Sequence, residues 1–142
     1  SGHNRKYKNW SVGLENPPSN AVNEQKPFFG ILEVESSAVA TSANYRNFVD
    51  LDGTILGHTI NPKSGFPVQS DILSVTVIAE TCMEADGWAT ALMALSYSEG
   101  VEILGKNENI GAIWLLKGSG NIREIAINGN YKIINPIYDI RK

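Results

Sequence analysis

In the string EADGWATALM a carboxylate, Asp86, and a hydroxyl, Thr90, stand four residues apart. On a helix that spacing brings both side chains onto one face. A hard cation such as Mg2+ wants oxygen ligands, and it takes only a few from a protein while water and substrate phosphates supply the rest. Asp86 and Thr90 would make half of such a site. The same pair also has a structural reading, because an early acidic residue is favoured by the helix dipole and a helical threonine bonds back to a carbonyl. Spacing alone leaves both readings open.

His58 lies in LGHTINPKSGFP, at the end of a predicted strand and before a loop shaped by proline and glycine. Its imidazole could move a proton near neutral pH, or it could be a turn residue. The string AVATSANYRNF gathers Thr41, Ser42 and Asn44 at a strand end. Together they form a possible set of hydrogen bonds to phosphate or ribose, or the ordinary chemistry of a turn. Tyr45, Phe48, Trp10, Trp88 and Trp114 could stack on a flavin or adenine ring, although aromatic side chains serve as core by default.

The elements that must position these groups can be read from periodicity and turn signals. Strands are predicted over Ser11 to Leu14, Phe28 to Val34, Ala38 to Ser42, Thr54 to Ile60 and Ile72 to Ile78. Ser36-Ser37 is expected to fold Phe28 to Val34 and Ala38 to Ser42 into a hairpin. Thr81 followed by Glu84 is a capping-box pattern and starts a helix through at least Leu95. A shorter helix covers Glu99 to Leu104 and stops at Gly105 in a left-handed conformation. Ile110 to Leu116, Ile122 to Ile127 and Tyr131 to Ile134 then read as strands joined by hairpin turns at Gly118-Ser119-Gly120 and Asn128-Gly129. Strands bracketing a helical pair give an α+β order, with an antiparallel sheet packed against the two helices.

The 142 residues, 42% hydrophobic, suffice for one core and are expected to form a single domain. A net charge of -3, from 12 basic and 15 acidic residues scattered without runs, argues against nucleic acid as a partner. Cys82, one cysteine by itself, frames neither a disulfide nor a zinc motif. No stretch approaches the roughly 18 to 20 apolar residues needed to span a bilayer. The opening Ser1-Gly2-His3, without a start methionine, reads as a cut within a longer protein.

Taken in order, AVATSANY, GHTINPKSGFPV and ILSVTVIAETCMEADGWATALM resemble the carboxy-terminal half of the ApbE family, whose pattern runs A-T-S-G-x-Y, H-x-I-D-P-x-T-G-x-P, and S-V-T-V followed by A-D-x-x-x-T. The upstream NWSVGLENP is similar to the strand that precedes them there. The resemblance implies an ApbE-like (T-fold-like) carboxy-terminal portion whose amino-terminal half, with much of the FAD pocket, is absent. It implies Mg2+ held by Asp86 and Thr90, His58 in catalysis, Ile60 lining the FAD site, and Thr41 and Ser42 as flavin or phosphate contacts.

The reaction implied is transfer of FMN from FAD to a threonine or serine hydroxyl of an acceptor protein, with release of AMP. The resemblance further implies acceptors among subunits of sodium-pumping NADH:quinone oxidoreductases or Rnf-type redox complexes, and an exported or lipid-anchored parent on the periplasmic face of the membrane. The fragment alone is expected to be inactive. Two alternatives share the site, an FAD pyrophosphatase giving FMN and AMP and a flavin-binding module without catalysis. Asn61, Ser64 and Ala43 stand where the family pattern has Asp, Thr and Gly. Ala43 would be the costly departure if its backbone required a positive φ.

Overall fold

Two strands dictate the architecture. β6 (Ile72–Ala79) and β7 (Gly111–Lys117) are apolar at nearly every position and buried on both faces, so the sheet they share must be covered on both sides. The computed structural model shows that arrangement. It describes residues 9–18, 26–45, 48–51, 54–57, 59–62, 64–68, 70–118 and 122–141, with the backbone alone for 48–51 and 54–57.

The central sheet has five strands in the order β10-β8-β7-β6-β3, where β3 is Ala38–Ala43, β8 is Arg123–Asn128 and β10 is Asp139–Ile140. Its pairings are antiparallel except that β10 runs parallel to β8. A second sheet, β1 (Trp10–Glu15), β2 (Phe28–Val34) and β9 (Ile133–Ile134), is also antiparallel. β4 (Phe48–Leu51) and β5 (Thr54–Gly57) form a separate hairpin. Alternation along the central strands sends Val75, Val77, Trp114 and Leu116 to one face and Ile78, Ile113, Leu115 and Ile125 to the other. The first set meets Ala85, Ala89 and Leu92 of α1 (Cys82–Met93) and Leu104 of α2 (Tyr97–Leu104). The second meets Leu14, Phe29, Leu32 and Ile133 of the smaller sheet. The result is three layers, with helices, central sheet and second sheet stacked in that order.

The α+β class and the sheet packed on a helical pair are as expected, but two predicted hairpins do not form. β2 and β3 lie in different sheets: β2 is flanked by β1 and β9, while β3 pairs with β6 from Ala38↔Ala79 to Ala43↔Ser74. Residues 35–37, with Ser36 at φ 41, carry the chain from one layer to the next. Folding β3 back on β2 would strip β6 of that ladder and take Ala38 and Ala40 away from the helix-side core they pack against. Likewise, the segment after Asn128-Gly129 does not return on β8. Gly111 and Gly129 leave room for the Tyr131 ring, which a Cβ at Gly111 would meet at 2.0 Å. β9 then pairs with β2, Ile133 opposite Leu32.

The start of α1 is as read. Glu84 N–H donates to Thr81 Oγ1 at 3.2 Å while Thr81 N–H donates to Glu84 Oε2 at 3.2 Å. Ser96 and Glu99 repeat the capping box at α2, two residues upstream of the predicted start. α1 ends at Met93 with Ala94 as its cap, short of Leu95. Gly105 closes α2 at φ -59, a right-handed conformation, so the expected left-handed stop is not used. No helix among the described residues is long and apolar enough to cross a membrane.

Candidate functional site

β3 is an edge strand of the central sheet and packs against α1. Between them opens a cleft of about 920 Å3, large within the range of roughly 300–1,000 Å3 typical of small-molecule sites. Its walls are Thr41, Ser42 and Ala43 of β3 with Tyr45, one side of α1 from Gly87 to Ala94, Thr59 to Pro62 after β5, and Glu15 at the end of β1.

Thr41 and Ser42, expected from the sequence, both face the cleft. The Thr41 hydroxyl lies 2.8 Å from that of Thr76, its cross-strand partner, which is buried. A hydroxyl has one donor and two acceptor sites, so Thr41 keeps capacity for a ligand after this bond. Asn44 serves the fold instead. Its Nδ2 donates to the Ile72 carbonyl at 2.9 Å and its backbone N–H to that of Leu73 at 3.2 Å, closing the end of the β3–β6 ladder. Ala43 sits in the strand opposite Ser74 and not among the positive-φ residues, so its departure from glycine costs no backbone strain.

The loop after β5 is built on Asn61. Its Oδ1 accepts from the Ser64 N–H at 3.3 Å, its carbonyl from the Gly65 N–H at 2.8 Å, and its own N–H donates to the Phe66 carbonyl at 2.9 Å. Gly65 takes φ 72 and Ile60 bridges Pro67. Asparagine therefore makes the side-chain turn that an aspartate would. This loop presents Ile60 to the cleft with half of its surface exposed. His58 lies outside the described residues, while Thr59 and Ile60, which follow it, line the cleft.

On α1, Asp86 and Thr90 are both exposed. Thr90 lines the cleft with Gly87 and Ala91 on either side, and Asp86, one turn earlier, is not among the lining residues. Among the described residues no cluster of three histidine, cysteine, aspartate or glutamate side chains exists that could hold a metal ion. The donors are hard oxygens at helical spacing with open solvent before them, which fits a magnesium ion that takes few protein ligands and completes its shell with water and phosphate.

Of the aromatic candidates with described side chains, Tyr45 lines the cleft, while the Phe48 side chain lies outside the described residues. Trp114 is wholly buried and meets Tyr97 edge-on, ring centroids 5.3 Å apart. Trp88 packs against the helix-side core, and Trp10 is exposed elsewhere. Glu15 is a wall residue that no sequence motif singles out, since its placement depends on how the second sheet packs on the central one.

The sequence model of the ApbE family matches residues 1–114. The chain belongs to the ApbE family. It is 35% identical over 116 residues to the FAD:protein FMN transferase of Salmonella typhimurium, covering 82% of this chain and 32% of that protein. The flavin transferase ApbE from Vibrio cholerae superposes with a TM-score of 0.67 at 28% identity, over 94% of this chain and 38% of its own. The apo flavinyl transferase ApbE of Pseudomonas stutzeri gives a TM-score of 0.65, also at 28% identity, over 94% and 37%. The fold is thus an ApbE fold, and the chain spans about a third of the length of the relatives it matches.

Proposed function

We propose that a full-length ApbE protein carrying this chain as its carboxy-terminal part transfers FMN from FAD to a threonine or serine hydroxyl of an acceptor protein. The observation that carries this reading is the cleft itself: on an ApbE chain, Thr90 of α1 and Thr41 and Ser42 of β3 line one cleft, with Asp86 exposed one turn from Thr90. In the reaction the acceptor oxygen bonds to the FMN phosphorus, the bond from that phosphorus to the bridging oxygen breaks, and AMP leaves with the bridging oxygen. The hydroxyl proton is assigned to His58 by family resemblance, a role imidazole can fill near neutral pH.

Asp86 and Thr90 would hold Mg2+, which when bound neutralises phosphate charge that develops on the leaving group. Thr41 and Ser42 would orient the substrate by hydrogen bonds, and Ile60 and Tyr45 would pack on its rings. The acceptor classes follow the family resemblance: subunits of sodium-pumping NADH:quinone oxidoreductases or Rnf-type complexes, met by a lipid-anchored or exported enzyme on the periplasmic face. Because the chain spans about a third of its relatives, we propose also that it is inactive and binds FAD poorly by itself.

The test is the intact mass of a flavin-acceptor domain after incubation with FAD, Mg2+ and the full-length protein. An FMN-sized gain abolished both by chelator and by Asp86→Ala supports the transferase and the metal role together. AMP released without acceptor would instead indicate a pyrophosphatase, and FAD bound with neither product a binding module. Flavinylation by the isolated chain would overturn the claim that it is inactive.

A further inference from the structure

A group of polar side chains grips the chain where β1 ends. Arg123, at the start of β8, donates from Nη1 to Asn16 Oδ1 at 2.9 Å and to the Pro17 carbonyl at 2.8 Å, and from Nη2 to the Pro18 carbonyl at 3.3 Å. The Tyr138 hydroxyl donates to the same Asn16 Oδ1 at 2.9 Å, and the guanidinium stands 5.9 Å from the Tyr138 ring centre. Asn16, buried, completes the grip by donating from Nδ2 to the Lys26 carbonyl at 3.1 Å and from its backbone to that of Pro27 at 2.9 Å. Two successive prolines offer carbonyls without N–H groups, so a donor-only fork such as guanidinium is the side chain that can pin them.

The residue just before this clamp is Glu15. The β1–β2 register shifts between Leu14 and Glu15, and such irregularities re-aim side chains next to sites. Leu14 remains in the core while the half-buried Glu15 lines the cleft. A carboxylate accepts hydrogen bonds and repels phosphate. On a ligand in the cleft, the groups it would accept from are a hydroxyl or an amino group.

We infer that Glu15 is a substrate-contacting residue that reads a hydroxyl or amino group of the dinucleotide away from its phosphates, and that Arg123, through Asn16, is the positioning residue that holds it there. The inference rests on the cleft being the FAD site.

The experiment measures FAD, FMN and AMP affinity of the full-length protein by equilibrium titration, alongside KM and kcat for flavin transfer. Glu15→Ala is expected to weaken FAD binding about tenfold, the scale of one hydrogen bond to a charged group, with kcat within about twofold. Whether FMN or AMP shares the loss assigns the contact to the ribityl or the adenosine end, and either result supports the inference. Arg123→Met should weaken FAD to a similar degree, and the double variant should lose no more than the larger single change.

Arg141→Met breaks a 2.7 Å ion pair with Glu124, the neighbour of Arg123 on β8, and should leave FAD affinity unchanged, which a general loss of structure would not do. If Arg123→Met does not fold, Tyr138→Phe removes two hydrogen bonds of the clamp, the one donated to Asn16 Oδ1 and the one accepted from Arg123 Nη1, and is expected to weaken FAD by a smaller factor with kcat unchanged. Unchanged FAD affinity in Glu15→Ala, or losses that multiply in the double variant, would overturn the inference. FAD that binds without being transferred would sink the transferase reading alone, and the Glu15→Ala titration would still decide this one.

Discussion

The helical layer has an inner region around Gly100 and an outer region around Gly87, and the two glycines stand in opposite surroundings. A Cβ at Gly100 would lie 3.1 Å from Leu92 Cδ2 and 3.5 Å from a ring carbon of Trp114. The core therefore accounts for that glycine: α2 can approach the central sheet only because no side chain intervenes. A Cβ at Gly87 would meet nothing within 4 Å. Glycine inside a helix costs about 1 kcal/mol relative to alanine, and at Gly87 no contact among the described residues accounts for the choice. Gly87 borders the cleft, so the two regions differ in what they serve, one the packing of the domain and the other open space for a ligand.

The most severe way to test the inner region is Trp114→Ala. Trp114 is fully buried between Leu92, Gly100 and the Tyr97 ring, so truncation should cost about 3–5 kcal/mol, read as a lowered urea midpoint. A loss below about 1 kcal/mol would mean that the helices do not depend on this ring. Gly100→Val should be next, destabilising by about 1–3 kcal/mol through overpacking, because Leu92 is itself fully buried and has little space to yield. If the midpoint is unchanged, α2 can move outward and Gly100 is not the constraint proposed.

These inner positions were the more legible ones in the sequence. The continuous apolar run of β6 and the Thr81–Glu84 capping box announced a buried strand and the helix after it, because both signals are local. Sheet membership was not legible. Ser36-Ser37 and Asn128-Gly129 carry the turn chemistry of hairpins, yet the strands that follow pair with β6 and β2, partners set by which face each strand must bury. At the site, Thr41, Ser42, Ile60 and Thr90 could be chosen because their motifs are contiguous. Glu15 could not, because the layer stacking and the Arg123 clamp that bring it to the cleft join residues more than a hundred positions apart.

At the outer region the expected sign reverses. Gly87→Ala should stabilise the chain by about 0.5–1 kcal/mol, from helix propensity and a less flexible unfolded chain, and a thermal melt would show it as a raised midpoint. In the full-length protein the same variant sharpens the comparison. A stabilised variant that loses FAD affinity would place the ligand against the bare helix backbone, whereas unchanged affinity would confine its contacts to Thr90 and the β3 wall. A destabilised variant would break the comparison, since it would reveal a neighbour that Gly87 does serve.

Asp86→Ala should have the smallest effect on stability. The carboxylate is exposed in the second turn of α1, where its interaction with the helix dipole is worth a few tenths of a kcal/mol up to about 1. Alanine recovers a similar amount as a better helix former, so the net change in urea midpoint should correspond to less than about 0.5 kcal/mol. Loss of flavin transfer with an unmoved midpoint would separate the chemistry of α1 from its packing. A large destabilisation would instead show that Asp86 supports the fold, and the loss of transfer in that variant would no longer argue for a metal ligand.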